Sequence, residues 1–469
     1  MPLDFNKIKN IHLVGVGGCG VSGIAKILHE MGFKVSGSDV KENPNTVRLK
    51  DMGVKIQIGH DADNVRGIDL MVYSSAVSFD NPELKEGQAK GIPILKRAEM
   101  LAWIMSRSQN RIAVAGTHGK TTTTAMIAKV LDAAKLNPTF LIGCDMDYVG
   151  GNAKMGSGGF CVAEADESDS SFLFLSPTIE IITNIEEDHM EHFGNTEELF
   201  RTFEEFASRV PANGFILVDG TDPNNRRLME RAGKRFITYG LDPGMEYSAK
   251  NLKHSKFNSS YILLKNGEEV GEVGLSVPGW QNVLNSLAVF AIGFEFGIDF
   301  SLMVSALQTF VGARRRFSIV GEQSDIMIID DYAHHPTEIK ATLSAARAGW
   351  PKRKIVCVFQ PHRYTRTKLL KDRFGTAFSD ADRVIISDIY AASEKPIPGI
   401  SGKTIANLLD KEKASYIPKK EKIVEQLMKE LKPGDMLLTV GAGDIYTVAK
   451  EILLRLKMRD HPDVHRDGG

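Results

Sequence analysis

The sequence Ala115-Gly-Thr-His-Gly-Lys-Thr-Thr-Thr-Thr124 lies between an apolar strand, RIAVAG, and a stretch with helical spacing from Thr122 to about Ala134. Small residues in such a turn let backbone N–H groups converge on an anion, and the helix N-terminus adds partial positive charge. Lys120 would then reach the β- and γ-phosphates of a nucleotide, and the Thr121 hydroxyl would bind Mg²⁺. The general pattern GxxxxGK[ST] has glycine where Val114 stands, so the loop is a variant. The stretch predicts a phosphate-binding loop at the start of an α/β domain.

A single hydrophobic core seldom grows as large as 469 residues, so several domains are expected. Three α/β units follow one another along the chain. IHLVGV, GGCGVSG, IAKILHEMG and FKVSGSD read as strand, turn, helix and strand, which is a βαβ unit. The pattern restarts at RIAVAG and again near Ser318, before MIIDDYA, KIVCVFQ, RVIISDIY and MLLTVGAG. We predict a Rossmann-like domain (1–109), a central P-loop ATPase-like domain with a mainly parallel sheet (110–317) and a second Rossmann-like domain (318–469). A small antiparallel insertion is expected near Ser248–Val277.

Composition and charge favour a soluble cytoplasmic protein. The formal net charge is -1, which argues against nucleic-acid or membrane-surface binding by electrostatics. The sequence has no apolar run of the roughly 18 residues that a membrane span requires, and its N-terminus lacks a signal-peptide pattern. The four cysteines include no CxxC pair, which fits a reducing compartment. The polar C-terminal stretch MRDHPDVHRDGG is expected to be disordered.

Acidic and histidine side chains follow two predicted strands of the central domain. The strand in FCVAEADESD is followed by Glu164, Asp166, Glu167 and Asp169, and the strand in IEIITNIEEDHMEHF by Glu187, Asp188 and His189. Ligands bind at the carboxyl ends of strands in an open parallel sheet, and hard oxygen ligands suit Mg²⁺. The two clusters therefore predict a metal site facing the phosphates, although each cluster alone also fits a solvated acidic loop.

The third unit has two histidine-containing loops after strands, IDDYAHHPTEI and FQPHRYTRTK. Arginine forks suit phosphate and carboxylate groups, so these loops predict an anion-binding face. Upstream, VGARRRF contains three consecutive arginines at the predicted domain junction. They are either a solvated charge patch or a source of one side chain that reaches the γ-phosphate.

A second glycine-rich loop, Gly15-Val-Gly-Gly-Cys-Gly20, fits GxGxxG and is followed by Asp39 at the end of the next strand. Taken alone, this fingerprint predicts NAD binding and an NAD-linked oxidoreductase. The same backbone could instead hold the diphosphate of a nucleotide-sugar, since a chain with an ATP-type loop hardly needs a hydride carrier. A nucleotide-dependent switch without catalysis is a third interpretation.

Motifs along essentially the whole chain resemble the successive signatures of the Mur ligase family. They are GVGGCGVSGIA, GSD, YSSAV, AGTHGKTTTTAMIA, EADESDSSF, TNIEEDHMEHF, GARRRF, DDYAHHPTEI, FQPHRYTRT and PGDMLLTVGAGDI. The resemblance implies an ATP-dependent acid–amino-acid ligase that forms a C–N bond in peptidoglycan synthesis, and so serves cell-wall biogenesis, cell shape and cell division. EADESDSSF and PHRYTRT favour the branch that joins L-alanine to the lactyl carboxylate of UDP-N-acetylmuramate through an acyl phosphate, releasing ADP and phosphate. The murein-peptide recycling branch is the alternative.

The resemblance also implies site residues and a monomer or weak homodimer. The nucleotide would contact Gly116, Thr117, His118, Gly119, Lys120, Thr121, Thr122, Asn282, Arg315 and Asp331. Mg²⁺, or Mn²⁺ in its place, would be bound by Thr121, Glu164 and His189. The UDP-sugar and alanine would contact Gly17, Gly18, Gly20, Asp39, His60, Ser74, Tyr332, His334, His362, Arg363 and Arg366. Lys120 and Arg315 would stabilise the transferred phosphoryl group, and His334 would be the base for the amine or only position alanine.

Two departures from the family pattern are visible. Gln281 stands where relatives usually have a histidine, directly before Asn282 in PGWQNVLN. Ligases that act later in the pathway have a carbamylated lysine in the helix after the DH motif, and that place holds Phe203 or Glu204 here. The alanine-adding branch also lacks this lysine, so its absence agrees with the favoured assignment.

Overall fold

The computed structural model describes residues 3–146 and 150–460, which form three α/β units in series. The first unit contains strands β1 (Asn10–Val14), β2 (Lys34–Asp39), β3 (Lys55–Ile58), β4 (Leu70–Tyr73) and β5 (Ile94–Lys96), and helices α1 (Cys19–Glu30), α2 (Pro44–Asp51), α3 (Pro82–Ala89) and α4 (Arg97–Ser106). The sheet has the order β3-β2-β1-β4-β5, and its pairings are parallel. The strand order reverses at β1, so the glycine turn after β1 lies at the topological switch point, where ligands bind in such sheets.

The central unit is a ten-stranded sheet with the order β15-β14-β13-β12-β11-β10-β6-β9-β7-β8. Its strands are β6 (Asn110–Ala115), β7 (Thr139–Met146), β8 (Gly151–Lys154), β9 (Phe160–Glu164), β10 (Ile179–Ile182), β11 (Phe215–Asp219), β12 (Phe236–Tyr239), β13 (Tyr247–Ser255), β14 (Asn258–Lys265) and β15 (Glu268–Leu275). Its helices are α5 (Lys120–Ala133), α6 (Met190–Phe193), α7 (Thr196–Ser208), α8 (Pro223–Ala232), α9 (Trp280–Glu295) and α10 (Phe300–Gln308). The β13–β14–β15 meander is antiparallel, as predicted for this region.

The third unit has a six-stranded sheet with the order β16-β17-β21-β18-β19-β20, parallel except for the edge strand β16. Its strands are β16 (Ser318–Gln323), β17 (Ile326–Asp331), β18 (Ile355–Phe359), β19 (Arg383–Ile386), β20 (Ala414–Tyr416) and β21 (Met436–Val440). Its helices are α11 (Pro336–Gly349), α12 (Tyr364–Leu369), α13 (Lys371–Ala377), α14 (Gly402–Ala406), α15 (Lys420–Glu430) and α16 (Tyr446–Asp460).

The predicted disorder of the C-terminal stretch is wrong for Met458–Asp460, which belong to α16. Val448, Ala449 and Ile452 of this helix are buried in the core of the third unit, so the helix is anchored by packing before its polar end. Residues 461–469 of the stretch lie outside the described residues.

Strand β6 has a separate core on each face because its side chains alternate. Ile112 and Val114 pack in one core with residues of α5 and α9, and Ala113 and Ala115 pack in the other with residues of α7. Phe203, one of the two places counted for the carbamylated lysine, is fully buried in that second core. The phosphate loop therefore leaves a strand that is fixed from both sides.

The four cysteines are free thiols. No helix in the described part of the chain has both the length and the hydropathy that crossing a bilayer demands.

Candidate active site

The loop between β6 and α5 is held in an open turn that requires glycine at two positions. Gly116 has a φ of 121°, and a Cβ atom there would lie 2.1 Å from Thr183 Oγ1. Gly119 has a φ of 86°, and its Cβ would lie 2.8 Å from Asn285 Oδ1. Both are conformations that side-chain-bearing residues rarely adopt. Asn184 Oδ1 accepts a hydrogen bond from His118 N (2.9 Å), which fixes the middle of the turn.

Lys120, the first residue of α5, folds back over this turn. Its Nζ donates to Gly116 O (2.5 Å) and Thr117 O (3.2 Å) and to Glu167 Oε1 (2.8 Å). Burial alone would lower the pKa of Lys120, but the nearby carboxylates, Glu167 first among them, raise it above its ordinary value. The side chain is therefore a fixed cation at the mouth of the loop.

Thr121, the residue after Lys120, is a predicted metal ligand and contacts a second one, Glu164. Thr121 Oγ1 donates to Glu164 Oε2 (3.1 Å), and Gly143 N donates to the other carboxylate oxygen of Glu164. Burial raises the pKa of Glu164. A hydroxyl and a carboxylate beside a phosphate loop are oxygen donors of the kind that Mg²⁺ takes, so these residues fit the metal. His189, which has a φ of 56°, lines the same cavity.

A cavity of about 490 Å³ lies where the three units meet. Most of the predicted site residues line it: Gly18, Gly20 and Ser74 from the first unit, Thr117, Lys120, Glu164 and His189 from the second, and Tyr332, His334, His362, Arg363 and Arg366 from the third. Asp166, Glu167 and Asp188 complete its acidic wall. Groups from three domains thus face one open cleft.

A second cavity of about 310 Å³ lies on the other side of the phosphate loop. It is lined by the predicted nucleotide contacts His118, Gly119, Thr121, Thr122, Asn282 and Asp331 and by the apolar side chains Leu241, Trp280 and Ala341. Burial raises the pKa of Asp331 to about 6. An apolar slot next to a phosphate loop suits a nucleoside.

Gln281 also lines the smaller cavity. Its carboxamide lies against Gly279, where a Cβ would be 2.3 Å from Gln281 Oε1. The φ of Gly279 is 92°, so glycine is needed there both for the backbone and for this close approach.

Arg315 lies elsewhere than we predicted. Its guanidinium donates to Asp330 Oδ2 (2.9 Å) and to the carbonyl oxygens of Gly441 (2.8 Å) and Gly443 (3.3 Å), and Arg315 lines neither the larger nor the smaller cavity described above. Arg316 lines both cavities. The left-handed backbone of Arg315, with a φ of 59°, turns the two adjacent side chains to different sides. The side chain that faces the phosphate loop is thus that of Arg316, and the role predicted for Arg315 is proposed below for Arg316.

The remaining predicted contacts of the first unit lie behind the glycine turn, outside the residues that line the larger cavity. Gly17 N donates to Asp39 Oδ2 (2.8 Å), so this carboxylate supports the turn from below. His60 Nδ1 lies 3.1 Å from Ser38 Oγ and 3.3 Å from Glu83 Oε2.

Two histidines of the third unit are neutral at physiological pH. Burial lowers the pKa of His334 to about 3 and that of His362 to about 4. His334 Nδ1 lies 3.2 Å from the carbonyl oxygen of Tyr332, which can only accept, so Nδ1 bears the proton. Nε2 of His334 is then the basic nitrogen.

Ion pairs join the units around the larger cavity. Arg366 donates to both carboxylate oxygens of Asp188 (3.0 and 3.1 Å), and both side chains are buried. Burial would raise the pKa of Asp188, but Arg366 and the neighbouring histidines hold it well below its ordinary value. Arg97 of the first unit lies 3.2 Å from Asp166 of the second.

Arg97 and Glu338 both line the larger cavity, although neither was predicted as a site residue. Glu338 is the third residue of α11 and closes a capping box with His335. Pro336 at the first helical position and Glu338 at the third are helix-start signals, but they predict a cap and not a site residue.

Three family models match successive parts of the chain. Residues 10–109 match the Mur ligase family catalytic domain, residues 114–293 the Mur ligase middle domain, and residues 315–443 the Mur ligase glutamate ligase domain. The chain belongs to the Mur ligase family and has its three-domain α/β architecture.

Curated relatives resemble the chain over nearly its whole length. A protein of Pelobacter propionicus named UDP-N-acetylmuramate–L-alanine ligase is 46% identical over 457 residues, which are 97% of this chain and 99% of the relative. A protein of the same name from Pelotomaculum thermopropionicum is 46% identical and covers 96% and 98%. The crystal structure of the UDP-N-acetylmuramate–alanine ligase of Thermotoga maritima has a TM-score of 0.82 at 33% identity and covers 96% and 100%.

Proposed function

We propose that this protein is an ATP-dependent UDP-N-acetylmuramate–L-alanine ligase of peptidoglycan synthesis. One observation above all supports this function: three features, each from a different unit, line one cavity. They are the glycine turn at the switch point of the first sheet, the phosphate loop of the second unit, and a histidine–arginine face of the third unit formed by His334, His362, Arg363 and Arg366. The names of the relatives agree with this function over almost the full chain.

In the first step, a lactyl carboxylate oxygen of the sugar attacks the γ-phosphorus of ATP, the bond to the β-phosphate oxygen breaks, and ADP leaves. This step requires charge neutralisation and in-line placement more than covalent help. Lys120 and Arg316 are the cations that face the cavity beside the loop, and they would stabilise the transferred phosphoryl group. Thr121, Glu164 and His189 would hold Mg²⁺, whose chemistry is to neutralise phosphate charge.

In the second step, the amine of L-alanine attacks the acyl carbon, phosphate leaves, and the nitrogen loses a proton. Because the pKa of His334 is lowered to about 3, its Nε2 is unprotonated at neutral pH and can accept a hydrogen bond from the amine. So low a pKa makes His334 a weak proton acceptor. We therefore assign it to positioning of the amine, with proton loss to phosphate or water.

The decisive experiment incubates the protein with ATP, Mg²⁺, UDP-N-acetylmuramate and single amino acids, and identifies products by mass spectrometry. L-Alanine should give a product enlarged by one alanine residue, together with ADP. Glycine, L-serine and a murein tripeptide measure how strictly alanine is chosen and test the recycling alternative. ADP release without an amino acid, or a reaction only with the tripeptide, would refute the proposal.

A further inference from the structure

Glu338 occupies the point where the two cavities, the phosphate loop and the third unit meet. It lines both cavities, and its side chain is 11% exposed. Burial alone would raise the pKa of Glu338, but its contact with His118 and the positive charge of Arg316 hold it well below its ordinary value. The side chain is therefore a largely buried carboxylate that remains ionised at neutral pH.

Its two oxygens face different partners. Oε2 accepts hydrogen bonds from His334 N (3.0 Å) and His335 N (3.3 Å) at the start of α11. Oε1 lies 3.3 Å from Arg316 Nη1 and 3.3 Å from His118 Nδ1. The helix cap uses Oε2 alone, so capping does not account for the contacts of Oε1.

The partners belong to both halves of the proposed reaction. His118 is part of the phosphate loop and Arg316 faces it, whereas His334 lies at the histidine–arginine face of the larger cavity. A single carboxylate bridges these groups, with its charge balanced by the partly exposed guanidinium of Arg316. Such a bridge fixes planar groups in both distance and orientation.

We infer that Glu338 is a positioning residue: through Oε1 it orients Arg316 and His118 at the phosphates, and through Oε2 it sets His334 at the amine. This inference rests on the proposed ligase function. It adds a residue that acts through others.

The test compares Glu338→Gln with the wild type. Gln has the same shape but no charge. Its NH₂ group must take the place of either Oε1 or Oε2 and face hydrogen-bond donors there, so the contacts of that oxygen are lost. We expect kcat to fall about 100-fold, the size of effect that a small misplacement produces. The Kd of ADP, which lacks the γ-phosphoryl group, should change by less than about threefold. If Glu338 had a merely structural role, the substitution would lower both kcat and the affinity for ADP, because Thr337, Glu338 and Ala341 form one wall of the smaller cavity.

Glu322→Gln is the matched control, since Glu322 belongs to the same unit, is 45% exposed and pairs with Arg353 at 2.9 Å. It should leave both quantities at the wild-type value. If Glu338→Gln does not fold, Glu338→Asp keeps the charge on a side chain too short to reach both partner sets, and the same split is expected.

The inference is overturned if kcat of the Glu338 variant stays near the wild-type value, if kcat and ADP affinity fall together, or if neither variant folds. Absence of alanine-dependent ADP release by the wild type would instead refute the proposed function, whatever the variants do.

Discussion

Lys120 Nζ lies 2.8 Å from Glu167 Oε1, and the two side chains are 18% and 4% exposed. The pair links the first residue of α5 to the loop after β9. Burial raises the pKa of Glu167, and Lys120 opposes that rise. The cation that is expected to contact the nucleotide thus also neutralises a buried acid.

Lys120→Met should separate these two roles. Loss of the ammonium leaves Glu167 buried without its partner, so the free energy of unfolding should fall by about 2–4 kcal/mol. In Lys120→Met/Glu167→Gln most of that loss should be recovered, whereas kcat should stay about 10²–10³-fold low in both variants. Urea unfolding and ADP release measure the two effects. Recovery of kcat in the double variant would contradict the assignment of Lys120 to the phosphates.

Loss of Arg316 should lower activity, whereas loss of the adjacent Arg315 should lower stability. Arg316→Gln should lower kcat about 10²–10³-fold, because this guanidinium faces the phosphate loop. Arg315→Gln should leave kcat near the wild-type value but lower stability by about 1–3 kcal/mol, since Arg315 bonds to Asp330 and to the carbonyl of Gly441. Steady-state kinetics and thermal unfolding of both variants decide the matter. A larger kcat loss in Arg315→Gln would restore our original prediction.

Activity should require Mg²⁺, and the concentration of Mg²⁺ that it requires should depend on Glu164. Activity should disappear with a chelator and return with Mg²⁺. Glu164→Gln should raise the Mg²⁺ concentration for half-maximal activity at least about 10–100-fold. Glu187→Gln is the control, because Glu187 accepts a hydrogen bond from Thr196 Oγ1 (2.8 Å) and lines neither the larger nor the smaller cavity. An equal effect in the two variants would rule out Glu164 as a metal ligand.

The stability of the first unit should depend on the ionisation of Glu83. Burial would raise its pKa, but hydrogen bonds from partners that include Asn64 (2.5 Å) and Ser38 (2.5 Å) lower it to about 2. The folded state thus binds this proton less tightly than the unfolded chain, whose ordinary value is 4.5. Glu83 therefore stabilises the fold above pH 4.5, and this contribution is lost as the pH falls towards 2.

Glu83→Gln should accordingly be less stable than the wild type by about 2 kcal/mol at pH 7, and the difference should shrink at pH 3. Urea unfolding at several pH values measures it. A difference that does not change with pH would show that the charge of Glu83 is not what stabilises the unit.

Much of the fold was predictable because the strands are apolar runs and the turns contain glycine. RIAVAG and the loop after it form the strand and turn that we predicted. Helix α5 begins at Lys120 instead of the predicted Thr122, so the loop lysine is part of the helix. Side-chain direction was not predictable. Which arginine of the Arg314–Arg316 run faces the loop depends on one left-handed residue, and no local pattern specifies that residue.

Long-range partners were hidden for a related reason. Glu338 has the spacing of a helix cap, and its other partners come from distant parts of the chain. The acidic clusters were found because both follow strands of one sheet, yet Glu187 and Asp169 were grouped with them although neither lines the larger or the smaller cavity described above. Only the folded chain separates such neighbours.

The central claim is that the turn from Gly116 to Thr122 binds the triphosphate of ATP. A crystal structure with Mg²⁺ and a non-hydrolysable ATP analogue tests it most directly. We predict phosphates on the backbone N–H groups of this turn and the nucleoside in the smaller cavity beside Asn282 and Asp331. An empty turn, with the nucleotide bound instead at the glycine turn from Gly15 to Gly20, would contradict the account.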